Sequence, residues 1–290
     1  MKQAVRRSLV VLALSVSASS LSSLSAAEIE LPAPSPPASV SQTTGVTRIT
    51  IDYHRPGVKG RRIWGELVTY DKVWRLGANE ATTISFTDPV KIKGKVLPAG
   101  TYALFAIPKP GVFTVVFNTV AKQWGAFRYD ESKDVLRFDL QPEKASSTEW
   151  MTFDMVPAAK GVVRVGWRWE RLQFSFDVEV DVDKVVWSRI DAVLAKDAPA
   201  WDDYLSAAQH AWTEKTRLDD AMTWVDKSIA LKEHFWNDEL KARLLASRGK
   251  YAEAIPLAEK AKELAKEKAP KEYFDGLDKA LAEWRAKARS

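Results

Sequence analysis

The hydrophobic residues of this chain follow two different periods, and the switch between them constrains the fold more than any other feature. From residue 46 to residue 180, apolar residues such as Ile49 and Ile51 alternate with polar ones. This period of two is typical of strands with one buried face. Beyond that point the apolar spacing is helical. The pattern predicts an α+β chain with an antiparallel β domain at 45–182 and a helical domain at 183–290.

Several short strands are predicted inside the β domain. The most regular pair is Val163–Trp169 and Phe174–Val178, and Glu170–Leu172 would form the turn of a hairpin between them. Many short strands separated by glycine, proline and aspartate turns favour a β-sandwich-like domain. The other candidate strands are Thr82–Phe86, Val90–Ile92, Thr101–Ile107, Phe113–Asn118, Val135–Leu140 and Trp150–Met155.

A weak repeat marks the helical domain. Leu218, Ala221, Trp224 and Ser228 recur 33 residues later as Tyr251, Ala254, Leu257 and Ala261. A large residue followed by small ones at helical spacing lets two helices approach closely. The segment from Gly249 to Ala254 resembles the tight turn of tetratricopeptide repeats. The sequence therefore predicts tetratricopeptide-like helical hairpins, packed on the β domain or on a helix at 183–196, with a last helix at 273–288 as a cap.

The N-terminus has the composition of a cleavable signal peptide. Residues 1–27 combine basic residues, the apolar run Leu9–Val16 and small residues at the end, which predicts cleavage after Ala27. The apolar run is shorter than the roughly 20 residues that a membrane-spanning helix needs. Four prolines then predict an extended linker within 28–44. We expect an exported protein, periplasmic or secreted, with no transmembrane segment after cleavage.

Composition argues against several classes of function. The chain has no cysteine, so it cannot form disulfides or thiolate metal sites. Its three histidines have no zinc-binding spacing, and no phosphate loop or dinucleotide motif occurs. Three of the five net positive charges lie in the leader, which leaves +2 and little electrostatic support for nucleic-acid binding. We expect no metal, no cofactor and no nucleic-acid partner. The histidines are His54, His210 and His234.

Cations cluster before and at the start of the irregular segment 72–82. Besides Lys72, five of them fall within 21 residues, and guanidinium groups suit carboxylate, phosphate or sugar-acid ligands. The alternative is that they pair with the nearby acids Asp52, Glu66, Asp71 and Glu80. The five are Arg55, Lys59, Arg61, Arg62 and Arg75.

Two tryptophans and two pairs of neighbouring polar residues, each with one acid, complete the candidate site. Trp74 and Trp124 lie near glycines and are candidate stacking platforms, although either could fill the core. Two neighbouring pairs, Asn79 with Glu80 and Tyr129 with Asp130, are candidate acids, bases or polar contacts in a cleft. The alternative for Glu80 is a buried ion pair with Arg75. The residues predicted to bind a ligand are Arg55, Arg62, Trp74, Arg75, Asn79, Glu80, Trp124 and Tyr129.

Four ordered blocks of this sequence resemble one protein family. They are Ile51–Leu67, Val73–Thr83, Leu97–Pro108 and Gln123–Asp130. On these blocks the chain is identified as a member of domain-of-unknown-function family 2911, found in exported bacterial proteins. The resemblance implies a β-rich exported domain and brings no established reaction or ligand.

The residues leave three functional hypotheses open. The first is a non-catalytic binding or interaction module of the cell envelope, which holds a small-molecule or glycan ligand in the β domain and contacts a protein partner through the helices. The second is a hydrolase of an envelope polymer with Glu80 or Asp130 as general acid or base, because paired carboxylates cleave glycosidic bonds. The third is a structural protein whose aromatic loops clamp the β domain to the helices.

Overall fold

The computed structural model describes residues 31–289, and in this range two antiparallel β-sheets are followed by six α-helices. This is the predicted α+β class. The predicted leader and its cleavage site lie outside the described residues. Within residues 31–289 no helix is both long enough and apolar enough to cross a membrane.

The strands divide between two sheets. They are β1 (Pro37–Thr44), β2 (Thr47–His54), β3 (Thr83–Phe86), β4 (Val90–Ile92), β5 (Lys95–Leu97), β6 (Gly100–Lys109), β7 (Val112–Asn118), β8 (Asp134–Leu140), β9 (Glu143–Ala159) and β10 (Val162–Glu179). The first sheet has the order β1-β2-β3-β6-β7-β8, and the second has the order β5-β4-β10-β9.

The strand β10 doubles back on itself, as the predicted hairpin requires. Arg164 bonds to the Asp177 carboxylate at 2.8 and 3.1 Å, and the Val180 N–H donates to the Gly161 carbonyl at 2.7 Å. Thirteen residues of straight strand would separate Arg164 from Asp177 by about 40 Å, so the chain reverses between them. Glu170, with φ of 55°, lies at the midpoint of this reversal. The hairpin prediction is confirmed.

The core lies between the two sheets. Tyr53 of β2 packs edge-on against Phe153 of β9 with ring centroids 4.8 Å apart, and the Phe153 N–H donates to the Tyr53 hydroxyl at 3.1 Å. Trp167 and Trp169 are each only 1% exposed, so both are core residues. Apolar faces of both sheets contribute to one cluster, which makes the β region a sandwich as predicted.

The segment before β2 differs from its prediction. Proline content predicts an unpaired linker through residue 44, whereas Pro37–Thr44 form β1 and pair with β2 from Pro37 opposite His54 to Thr44 opposite Thr47. Proline is tolerated at the first residue of an edge strand, where its missing N–H breaks no ladder. The predicted linker therefore ends before residue 37.

The helices form antiparallel hairpins with the predicted repeat. They are α1 (Val182–Leu194), α2 (Trp201–Glu214), α3 (Leu218–Leu231), α4 (Phe235–Ser247), α5 (Tyr251–Leu264) and α6 (Lys271–Lys287). The repeated positions begin α3 and α5, and the small residues Ala221 and Ala254 are completely buried. The hairpins are α2–α3 and α4–α5, α1 packs on α2, and α6 packs on α5 as the predicted cap.

A polar junction joins the first helix to the sheets. Asp88, between β3 and β4, accepts hydrogen bonds from Arg189 of α1 at 2.7 Å and from the Thr47 hydroxyl at 2.9 Å. Burial raises the pKa of Asp88, but the hydrogen bonds from Arg189, Thr87 and Thr47 outweigh burial and hold the pKa below its usual value. Asp88 is therefore a charged anchor between α1 and the β region.

Candidate functional site

A large concave surface, a groove, lies on the outer face of the first sheet. It has a volume of about 1170 Å³ and is open to solvent along its length. Its floor is formed by β1, β2, β3 and the start of β6, and the loop 121–128 forms one wall. We call this surface the face groove.

The pleat of the strands explains the polar floor. Ile51, Tyr53 and Ile84 point into the core, so the intervening side chains point to the opposite face. Ser85 and Thr101 hydrogen-bond to each other at 2.9 Å on this floor. The floor side chains are Ser39, Asp52, His54, Thr83, Ser85 and Thr101.

One ionisable pair lies at the end of the floor. The Nδ1 atom of His54 is 3.3 Å from Oε2 of Glu80, which is half exposed. A histidine and a carboxylate at this distance can donate a proton to a bound group or accept one from it. The side chain of Asp52, two residues before His54 on the same face, makes no hydrogen bond or ion pair with another described residue.

The wall loop is held on the sheet by a small apolar cluster and by backbone hydrogen bonds. Tyr129 packs edge-on against Phe105 with ring centroids 5.2 Å apart, in a cluster that covers the outer face of β6 and β7. The Gly125 N–H donates to the Asn79 carbonyl at 2.9 Å, and the Ala81 N–H donates to the Gln123 carbonyl at 3.0 Å. The loop is therefore a fixed wall.

The fixed loop presents four side chains that have no partner in the described chain. Trp124 is 60% exposed and Phe127 is 85% exposed, and neither ring contacts another aromatic ring in residues 31–289. The side chains of Lys122 and Arg128 make no hydrogen bond or ion pair there either. Exposed large apolar side chains beside unpaired charges are typical of binding surfaces.

Of the predicted site residues, the structure places two in the face groove. Glu80 and Trp124 line it. Asn79, in a left-handed conformation with φ of 56°, holds the wall loop through its carbonyl and donates its side-chain N–H to the Ser35 carbonyl at 3.4 Å. Trp74 is buried and stacks on Trp169 with ring centroids 5.9 Å apart, so it belongs to the core.

The predicted arginines do not line the groove. Arg55 donates to the Met151 carbonyl at 3.0 Å and to the Thr152 hydroxyl, which ties β2 to the second sheet. Arg62 pairs with Glu66 at 3.3 Å on the exposed surface, the one ion pair between these cations and the named acids in residues 31–289. Burial without a charged partner lowers the pKa of Arg75.

The proposed ion pair between Arg75 and Glu80 is wrong. Glu80 contacts His54, and the Nε of Arg75 is buried without a hydrogen-bond partner among the described residues. The two groups lie in different surroundings: Glu80 is half exposed at the rim of the groove beside Trp124 and His54, whereas the Nε of Arg75 is buried.

Tyr129 and Asp130 also lie outside the groove. Burial and the hydrogen bond that the Tyr129 hydroxyl donates to Asp134 at 2.7 Å raise the pKa of Tyr129 to about 12. Asp130 is exposed and accepts from the Ser132 N–H at 2.9 Å, capping a short 3-10 helix at Glu131–Lys133. Both residues therefore support local structure.

The comparisons with known proteins bear on the same region. A family profile described as "protein of unknown function (DUF2911)" matches residues 35–178. The chain belongs to the DUF2911 family through these residues. Every residue that lines the face groove falls inside the DUF2911 match, whereas all six helices lie outside it. No curated protein and no solved structure matches the chain.

The site predicted from the sequence did not include several residues of the face groove. Lys122, Phe127 and Arg128 lie in a loop without a period, and only the folded chain shows them on one wall. Thr83 and Ser85 carry a usable signal, because they are the polar positions of an alternating strand. In residues 31–289 no three His, Cys, Asp or Glu side chains are arranged to hold a metal ion.

Proposed function

We propose that this protein is an exported, non-catalytic ligand-binding module whose ligand lies in the face groove. One observation carries the proposal: Asp52, Lys122, Trp124, Phe127 and Arg128 converge on a single groove, and none has a partner in the described chain. Polar groups that face solvent unpaired can hydrogen-bond a ligand without first breaking an internal contact. Export is supported by the composition of residues 1–27.

We expect a groove ligand to raise the thermal stability of the purified protein. At a hundredfold excess over its dissociation constant, a ligand adds about 2.7 kcal/mol to the free energy of unfolding. A thermal-shift screen against sugars, uronic acids, peptidoglycan fragments and acidic metabolites measures this stabilisation. We expect the shift to disappear in Trp124→Ala, because the exposed indole is a large, rigid apolar surface of the wall.

The control is Trp236→Ala, which removes a tryptophan of similar exposure, 47%, on α4 and outside the groove. Trp124→Ala is expected to change the free energy of unfolding of the unliganded protein by no more than about 0.5 kcal/mol. Trp236→Ala also removes ring contacts with Phe235 and Tyr273, so each ligand shift is measured against the same variant without ligand. A ligand shift that survives Trp124→Ala and is lost in Trp236→Ala would place binding on the helices and contradict the proposal.

The contact between His54 and Glu80 supports hydrolysis of an envelope polymer as a second candidate function. Glu80 would act as the general acid or base with His54 as its proton partner. Asp130 does not line the groove, so only one of the two predicted carboxylates remains. In this function Glu80→Gln is expected to abolish the release of new reducing ends, a loss of at least about 100-fold. Chromatography of polymer digests checks it, with Glu66→Gln, an exposed acid outside the groove, as the control.

A further inference from the structure

We infer that the ligand of the face groove is a saccharide chain that carries carboxylate groups. This inference rests on the proposed function and specifies its ligand class. It follows from the chemistry of the floor, from the two aromatic side chains of the wall, and from the placement of the unpaired charges.

The centre of the floor offers side chains, because its backbone groups are already paired. The strand β2 is paired with β1 on one side and with β3 on the other, so its N–H and C=O groups are used in the ladders. A peptide laid across β2 and β3 cannot add a strand, because strand addition needs an open sheet edge, and the one edge strand of this floor is β1. What remains are hydroxyls and carboxylates, among them Ser39, Asp52 and Thr83. Sugar hydroxyls both donate and accept hydrogen bonds and suit this set.

The wall offers flat apolar surfaces next to the polar floor. The indole of Trp124 and the ring of Phe127 lie on one loop and are exposed to the groove. A pyranose ring has one face of C–H groups and an edge of hydroxyls, so it can pack on an aromatic ring while its hydroxyls reach a polar floor. Aromatic side chains present such faces at little cost in conformational entropy.

The charges are divided between wall and floor. Lys122 and Arg128 are unpaired on the wall, while Asp52 is on the floor and Glu80 lies at the end of the floor beside His54. A ligand carboxylate is repelled by the floor and attracted by the wall, where a guanidinium group can bind both of its oxygens. The groove thus sets the orientation of an acidic sugar.

The dimensions favour a chain over a single sugar. A volume of about 1170 Å³ exceeds the roughly 300–1,000 Å³ of pockets that enclose small molecules. The groove is also open, so a long ligand can continue beyond it. Several consecutive sugars would lie along the sheet with alternate rings near the aromatic wall.

Calorimetric titration of the purified protein tests the inference with three probes. They are a hyaluronan hexasaccharide, which carries carboxylates, chitohexaose, which is neutral, and a decaproline peptide. We expect the acidic hexasaccharide to bind at least about 10-fold more tightly than either of the others. Its dissociation constant is expected to rise about 10-fold in Trp124→Ala and in the double variant Lys122→Ala/Arg128→Ala.

The controls are Trp236→Ala and Lys95→Ala/Lys196→Ala, which remove exposed groups of the same kind outside the groove. We expect them to leave the dissociation constant unchanged. Raising the salt concentration is expected to weaken binding to the wild type and to have less effect on the groove double variant.

Other outcomes would contradict the inference, and they distinguish a wrong ligand class from a wrong proposed function. Equal binding of chitohexaose, or binding of decaproline alone, would overturn the acidic-saccharide assignment. If Trp124→Ala abolishes that binding, the face groove remains the binding site. Acidic hexasaccharide binding that is unchanged in both groove variants would overturn the placement in the groove and with it the proposed function. Absence of hexasaccharide binding, together with a Trp124-dependent hit in the thermal screen, would overturn the ligand class alone.

Discussion

Replacing Trp167 with alanine is expected to lower the free energy of unfolding by about 3–5 kcal/mol. The indole is 1% exposed and stacks on Phe174 with ring centroids 4.7 Å apart and an angle of 7° between the planes. It also contacts Phe153 of β9 and Phe176 across the hairpin. Alanine would leave a cavity bordered by both sheets, and rigid strands can close it only in part.

Urea denaturation followed by circular dichroism measures this loss. The matched control is Trp124→Ala, because the same substitution at a side chain that is 60% exposed is expected to change the free energy of unfolding by no more than about 0.5 kcal/mol. Equal destabilisation by the two variants would contradict the distinction between core and groove tryptophans.

Replacing Gly161 with alanine is expected to cost about 3 kcal/mol or more, from backbone strain and steric overlap together. Gly161 lies in the turn between β9 and β10 with φ of +74°. A Cβ atom at this position would lie 2.5 Å from the Val180 carbonyl oxygen, which is backbone and cannot rotate away. The Gly161 carbonyl also accepts the Val180 N–H at 2.7 Å, so relief of the overlap would break the end of the hairpin.

Gly60 separates the two contributions. It has a similar φ of +67°, and a Cβ there would meet no atom within 4 Å. Gly60→Ala therefore carries the backbone strain alone, and we expect it to cost about 1 kcal/mol. Differential scanning calorimetry of both variants checks the comparison. Similar melting temperatures for the two variants would show that the steric overlap with Val180 does not lower the stability.

The strands and helices that the sequence predicts correctly are those whose signal is local. The alternation in Thr47–His54 and in β10, and the helical spacing in α3 and α5, each lie within a few consecutive residues. The prediction of an unpaired linker at Pro37–Thr44 was wrong, because β1 is stabilised by pairing with β2 whereas prolines dominate the local sequence pattern. Pairing partners are a property of the folded chain, which short-range periods do not encode.

The predicted site shows the same division. Trp74 and Trp124 each lie near a glycine in an irregular segment, yet Trp74 fills the core and Trp124 is exposed in the groove. Arg75 and Glu80 are five residues apart and do not pair, because Glu80 is half exposed beside His54 and the Nε of Arg75 is buried. Sequence proximity gave the right neighbourhood for Glu80 and the wrong partner.

The sequence by itself determined the α+β class, the period of the sheets and the helical hairpins, because burial of one face imposes a repeating pattern on adjacent residues. It also determined which residue types were available, with no cysteine for a thiolate site. Only the tertiary structure decided where the candidate site lies. The loop 121–128 covers part of the outer face of the first sheet because Tyr129 and Ala126 pack on Phe105 and Val116, and this long-range packing turns an ordinary polar sheet face into a walled groove.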